Sequence, residues 1–183
     1  MSRITAVDPA QATGKTKELL NAVQAKLGIT PNLMKTLAHS PSALEGYLNF
    51  SGALSGGVLN AKFREAIALA VAQANSCEYC LSAHSAIGKM VGLKPEEIAA
   101  SRQSQSEDAK VEVGLQFAQS IVVQKGEVSN GALEAVRAAG YSDAEVTEIV
   151  ANVALNIFTN YFNHVAQTEV DFPRVPATLA QTA

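Results

Sequence analysis

The chain has 183 residues, 14 of them Lys or Arg and 17 Asp or Glu, for a net charge of −3, and its basic residues do not cluster. That balance excludes a nucleic-acid or anionic-membrane surface as the principal partner. No apolar stretch reaches the ~18 residues of a membrane span, and Met1-Ser2-Arg3-Ile4-Thr5 opens no apolar signal segment, so a cytoplasmic protein is expected.

In chain order, residues 1–12 read as an extended lead-in. A first helix is predicted over 15–26, with Gly28 at its C′ position. Pro31 opens a short second helix to Leu37. Ser40-Pro41 pairs an N-cap with proline at the first helical position. It starts a third helix, which carries Leu44, Tyr47, Leu48 and Leu54 and ends at Gly56-Gly57. Asn60 caps a fourth, whose Phe63, Ile67, Ala70, Val71 and Ala74 recur by three and four. Asn75-Ser76 interrupts the pattern, and Ser76 is placed to cap a fifth helix that begins at Cys77 and runs to about Val91.

Pro95-Glu96-Glu97 opens a short helix, followed by a polar loop over 101–106. Residues 107–125 make a long helix stopped by Gly126, and 129–139 another stopped by Gly140. Ser142-Asp143-Ala144-Glu145 is a capping box for a last long helix to about Gln167. The tail from Asp171, with Pro173 and Pro176, reads as an irregular strap over a neighbour. Glu65/His84 and Glu145/His164 share one spacing, a thin hint of an internal repeat. Strict apolar/polar alternation is missing throughout. An all-α domain of packed helices is therefore expected over 1–183, with a redox core at about 40–125 and C-terminal helices and strap at 127–183. At this length about two-thirds of the unfolded surface can be buried, so no disulfide staple is needed.

The only cysteines, Cys77 and Cys80, lie three apart. In a reducing compartment such a pair points to catalysis or metal binding before a structural bridge. On a continuous helix Cys77, Cys80 and His84 fall within about 60° of one another, so all three side chains are expected on one face. Cysteines at i, i+3 can close a disulfide at a helix start, where the dipole and free N–H groups also favour thiolate. His84, four residues after Cys80, can take its proton. Two thiols and a base suffice for thiol–disulfide exchange or peroxide reduction, one sulfur attacking and the other resolving.

Zinc is the main competitor, but it usually takes four ligands, and here only three are at hand unless Glu65 or water completes the set. Inert burial is the remaining reading. Glu65 on the apolar side of its helix reads, taken alone, as a boundary acid paired with Lys62 or Arg64. His164, beside Asn160 and Asn163, reads as a structural histidine, and His39 as a loop residue. Gly-rich phosphate loops and haem or flavin motifs are absent, so no cofactor is expected.

Glu65-x11-Cys77-x2-Cys80-x3-His84 resembles the active-site pattern of the AhpD-like alkylhydroperoxidase group within the carboxymuconolactone decarboxylase family. The stretch 63–72 is similar to that family's core helix, and Cys-Glu-Tyr-Cys-Leu-Ser-Ala-His-Ser to its signature segment. Ile29-Thr30-Pro31-Asn32-Leu33 and Asn-Tyr-Phe-Asn-His resemble its peroxidase-related branch. The resemblance implies an AhpD-like helical fold, assembled as trimers or hexamers. It implies Cys80 as attacking thiolate, Cys77 as resolving partner, His84 as base and Glu65 as proton-relay acid. Helix-dipole reasoning alone favours Cys77 as the more acidic thiol; the family pattern, and the nearness of His84, favour Cys80.

Tyr79 departs from the best-characterised AhpD pattern, which has His directly before the second cysteine. The function so implied is antioxidant reduction of an organic hydroperoxide, or of a partner peroxidase, with a dithiol or lipoyl-type reductant. A decarboxylase-like acid–base enzyme using Glu65 and His84, or a non-catalytic redox sensor, are the alternatives. True decarboxylases of the family lack the cysteine pair.

Overall fold

A computed structural model describes residues 2–178. Among these it holds nine α-helices and no strand: α1 Gly14–Leu27, α2 Asn32–Leu37, α3 Pro41–Ser55, α4 Ala61–Ala74, α5 Glu78–Met90, α6 Pro95–Arg102, α7 Ala109–Val123, α8 Asn130–Ala138 and α9 Asp143–Ala166. The fold is all-α, as the periodicity requires. The helix starts follow the caps: Ser40, Asn60, Asp108, Ser129 and Ser142 each accept a backbone N–H of the first turn on a side-chain oxygen. At Ser142 the box is reciprocal, since Glu145 Oε2 accepts the Ser142 N–H at 2.7 Å.

Helix α4 is the axis of the molecule. Ala66 to Ala72 are buried without interruption, which only a helix surrounded on all sides can sustain. Leu69 and Ala72 join a core with α1, α2, Leu44 of α3, and α5. Ile67, Ala70 and Val71, on the other side, pack with Leu115 and Ala118 of α7, Val136 of α8, and Ile149 and Val153 of α9. The 24-residue α9 spans both regions and carries a buried polar row, Asn152, Asn156, Thr159, Asn160 and Asn163, along its inner face. Such groups are costly inside a protein unless they find partners, so they mark where α9 passes a polar site.

One expected boundary shifts. The loop predicted over 101–106 begins later, because Ser101 and Arg102 complete α6. The segment after Asp171 does lie as a strap, across helices of its own chain. Asp171 Oδ2 accepts the Asn32 N–H at 2.7 Å, Ser82 Oγ accepts the Val175 N–H at 3.0 Å, and Gln73 Nε2 donates to the Ala177 carbonyl at 2.7 Å. Arg102 ties the same strap to α6 by donating to the Pro176 carbonyl. Residues 179–183 of the predicted strap, and Met1 of the lead-in, lie outside the described residues. No helix among the described residues is long and apolar enough to cross a membrane.

Candidate active site

The junction between α4 and α5 sets the cysteines. Ser76 is not the cap of α5; it stands in the left-handed region, φ 54°, as the residue that closes α4. Its N–H reaches the Gln73 carbonyl at 3.0 Å, and the Cys77 N–H reaches the Ala72 carbonyl at 2.9 Å. These are the two bonds of a Schellman ending, with serine where glycine is usual. Two helix ends therefore compete for one serine, and closing α4 wins.

The cap of α5 falls to Cys77, which is extended (φ −88°, ψ 94°) and accepts the Cys80 N–H on Sγ at 3.3 Å. The two sulfurs are at disulfide distance, with Cα atoms 5.3 Å apart, and both residues are buried. Since Cys77 lies outside the helix, the expectation that Cys77, Cys80 and His84 share one face fails in part. Cys80 and His84 line one cavity, and Cys77 lines another.

The cavity on the Cys80 side encloses about 270 Å³. Leu33, Met34, Leu48, Leu54 and Phe172 supply apolar walls, and Tyr47, Glu65, His84, Asn152 and Asn156 gather as its polar groups. Glu65 pairs with His84, not with Lys62 or Arg64: His84 Nδ1 and Glu65 Oε2 are 2.8 Å apart, both largely shielded. Arg64 instead donates to the Leu59 carbonyl. A carboxylate accepting the Nδ1 proton fixes the neutral tautomer and leaves Nε2 as the basic nitrogen. The sequence could not place α4 and α5 side by side; the structure does, and Glu65 lies on the cavity that Cys80 lines.

Three further groups complete the surroundings. Asn163 Nδ2 donates to Cys80 Sγ at 3.3 Å, a contact that stabilises negative charge on that sulfur. Tyr47 stands in the same cavity with its phenol pushed up to about 12, first by burial and then by the Glu65 carboxylate, so it stays a protonated donor. Tyr79, in place of the family histidine, is a structural anchor: its hydroxyl accepts the Leu33 N–H at 3.0 Å, and its ring meets Phe172 edge-on at 5.9 Å. Burial drives its phenol far above the ordinary range.

His164 Nε2 donates to the Asn75 carbonyl at 2.8 Å, in keeping with a structural histidine. His39 Nε2 likewise donates to the Thr5 carbonyl at 2.8 Å. Tyr47 carried no functional signal in the sequence, and Asn163 stood out only as part of the Asn-Tyr-Phe-Asn-His segment, because each reaches the site from a helix remote in the chain. Among the described residues, no three His, Cys, Asp or Glu side chains converge as a metal site.

The family model of carboxymuconolactone decarboxylases matches residues 41–119, from the start of α3 into α7. No protein of curated function matches the chain. Among solved structures, an uncharacterized peroxidase-related protein from Ralstonia eutropha JMP134, described as an alkylhydroperoxidase AhpD core, is 28% identical with a TM-score of 0.83, covering 96% of this chain and 97% of its own. An uncharacterized peroxidase-related protein from Silicibacter sp. TM1040 is 26% identical with a TM-score of 0.79, covering 91% and 92%. The debrominase Bmp8, in complex with 2,3,4-tribromopyrrole, shares the fold at 18% identity, with a TM-score of 0.80 over 93% and 92% of the two chains. The segment that carries Glu65, Cys77, Cys80 and His84 is thus the part of the chain that matches the carboxymuconolactone decarboxylase model, and it lies in an AhpD-like fold that extends over nearly the whole chain.

Proposed function

We propose that the protein is a thiol peroxidase of the alkylhydroperoxidase type, cycling Cys77 and Cys80 between dithiol and disulfide. The observation that carries this reading is the pair of cysteines at disulfide distance, the second of them on a cavity that also holds the Glu65–His84 pair. His84 Nε2 takes the Cys80 proton, and Asn163 steadies the resulting thiolate. The thiolate attacks the terminal oxygen of an organic hydroperoxide, whose O–O bond breaks; the alkoxide takes a proton and leaves as alcohol, and Cys80 becomes a sulfenic acid. Cys77 then attacks the Cys80 sulfur, water departs, and the disulfide forms.

A dithiol of lipoyl type, or another protein dithiol, returns both thiols and is itself oxidised to a disulfide. The apolar walls of the Cys80 cavity suit an alkyl or aryl group. A partner peroxidase presenting its own oxidised cysteine is served by the same pair. Replacing Cys80→Ser is expected to abolish hydroperoxide turnover with helix content unchanged by circular dichroism; retained turnover would overturn the assignment.

The Glu65–His84 pair on its own favours a second reading, acid–base chemistry on a lactone with the thiols as bystanders. Lactone turnover that survives loss of both cysteines would select it.

A further inference from the structure

The two sulfurs open onto different spaces. Cys80 lines the apolar cavity of about 270 Å³, whereas Cys77 lines a cleft of about 600 Å³ between the start of α5, the end of α9 and the strap. Among the described residues Tyr79 alone lines both, so its ring, clamped by Leu33 and Phe172, forms the partition between them. The cleft differs in character from the cavity. Asn163 and Thr168 line it, only 4% and 8% exposed, yet Asn163 Oδ1 and Thr168 Oγ1 have no hydrogen-bond partner among the described residues. Buried polar atoms left in this way cost free energy unless a ligand completes them. Arg174, from the strap, adds an exposed cation to the same wall.

We propose that this cleft is the docking port of a dithiol reductant carried on an amide or peptide, distinct from the cavity that admits the oxidant. The inference rests on the thiol reading above and adds to it which sulfur is attacked and from where. Asn163 Oδ1 accepts an N–H of the docked reductant, while its Nδ2 donates to Cys80 Sγ on the other side of the partition. The reductant's thiolate attacks Cys77 Sγ and forms a mixed disulfide. The Cys77–Cys80 bond breaks, and its electron pair goes to Cys80, which takes a proton from His84 in the opposite cavity. Cys80 is the better leaving group, because Asn163 already stabilises its anion, and a leaving thiol of lower pKa departs faster. The second thiol of the reductant then attacks its own first sulfur in the mixed disulfide. Cys77 is released as thiol, and the reductant departs as a disulfide. Oxidant and reductant thus approach one disulfide from two sides without competing for space.

The test uses the full chain oxidised with diamide, so that it stands even where no hydroperoxide is a substrate. Glutathione, a monothiol with peptide amides, is added and the reaction is quenched with N-ethylmaleimide. Fragment ions that break between Cys77 and Cys80 then locate the adduct. Glutathione on Cys77 and maleimide on Cys80 are expected; glutathione on Cys80 overturns the inference. In parallel, Arg174→Trp, which fills the cleft from an exposed position, is expected to slow reduction by dihydrolipoamide at least about tenfold. Disulfide formation with cumene hydroperoxide in that variant should stay within about twofold, since misplacement matters only on the face that is blocked. Equal slowing of both half-reactions, or of neither, also overturns it. Failure of cumene hydroperoxide to form the disulfide in the parent protein would count against the peroxidase reading alone.

Discussion

His84 is the residue on which the proposed chemistry turns, and its state is set by Glu65, 2.8 Å from Nδ1. With the carboxylate in place the imidazole presents Nε2 as a base; with an amide there, the other tautomer becomes equally good and the base is lost for part of the population. Glu65→Gln is therefore expected to lower hydroperoxide kcat/KM roughly 100-fold or more, the scale of losing an oriented base. A stopped-flow measurement of peroxide consumption checks this, and an unchanged value would mean that His84 needs no orienting partner. Much of this site was legible in the sequence, because the Glu-Cys-Cys-His spacing is local along the chain and tied to helical geometry. The contacts that Asn163 and Tyr47 make there were not, since contacts from α9 and α3 depend on how the helices cross. Nor could spacing show that Cys77 and Cys80 face different spaces. Helical angles hold only inside a helix, and Cys77 is the residue before one.

At the scale of elements, most start and stop signals were read well, and the junction between α4 and α5 was not. Ser40, Asn60 and Ser142 cap the helices predicted from them, because a side-chain oxygen meeting a first-turn N–H is decided within a few residues. Ser76 failed as a cap because two helix ends compete for it. Serine tolerates the left-handed conformation less readily than glycine, so its role at the end of α4 was hidden. The sulfur of Cys77 carries the cap instead, and this has a measurable consequence in the reduced protein. Cys77→Ser, which keeps an acceptor at the N-cap, is expected to be at least as stable as the reduced parent. Cys77→Ala should cost about 1 kcal/mol in denaturant unfolding under reducing conditions. Equal stability of the serine and alanine variants would show that this cap contributes nothing.

For the whole molecule, the shared fold with peroxidase-related proteins extends well past the matched family segment, into α9 and nearly to the end of the chain. That C-terminal part is where Asn163 and Arg174 arise, outside residues 41–119. The outer face of α9 carries Val150, Phe158, Tyr161 and Val165, all exposed at intervals of a helical stripe. Exposed apolar rows of this kind mark association surfaces, which suits the homo-oligomer that the resemblance implies. Light scattering should report a mass above that of one chain, and Val165→Asp should lower it; a monomer in both cases would remove oligomerisation from the account. The sequence showed α9 only as a long helix; that its polar row of Asn and Thr turns inward while Val150, Phe158, Tyr161 and Val165 turn outward depends on how the helix packs.

The most direct measurement is a thiol count of the reduced protein before and after one equivalent of cumene hydroperoxide, by trapping and mass spectrometry. The account predicts rapid loss of both free thiols to an intramolecular Cys77–Cys80 disulfide, reversed by a dithiol and absent in Cys80→Ser. Thiols that remain reduced while the hydroperoxide persists would contradict it.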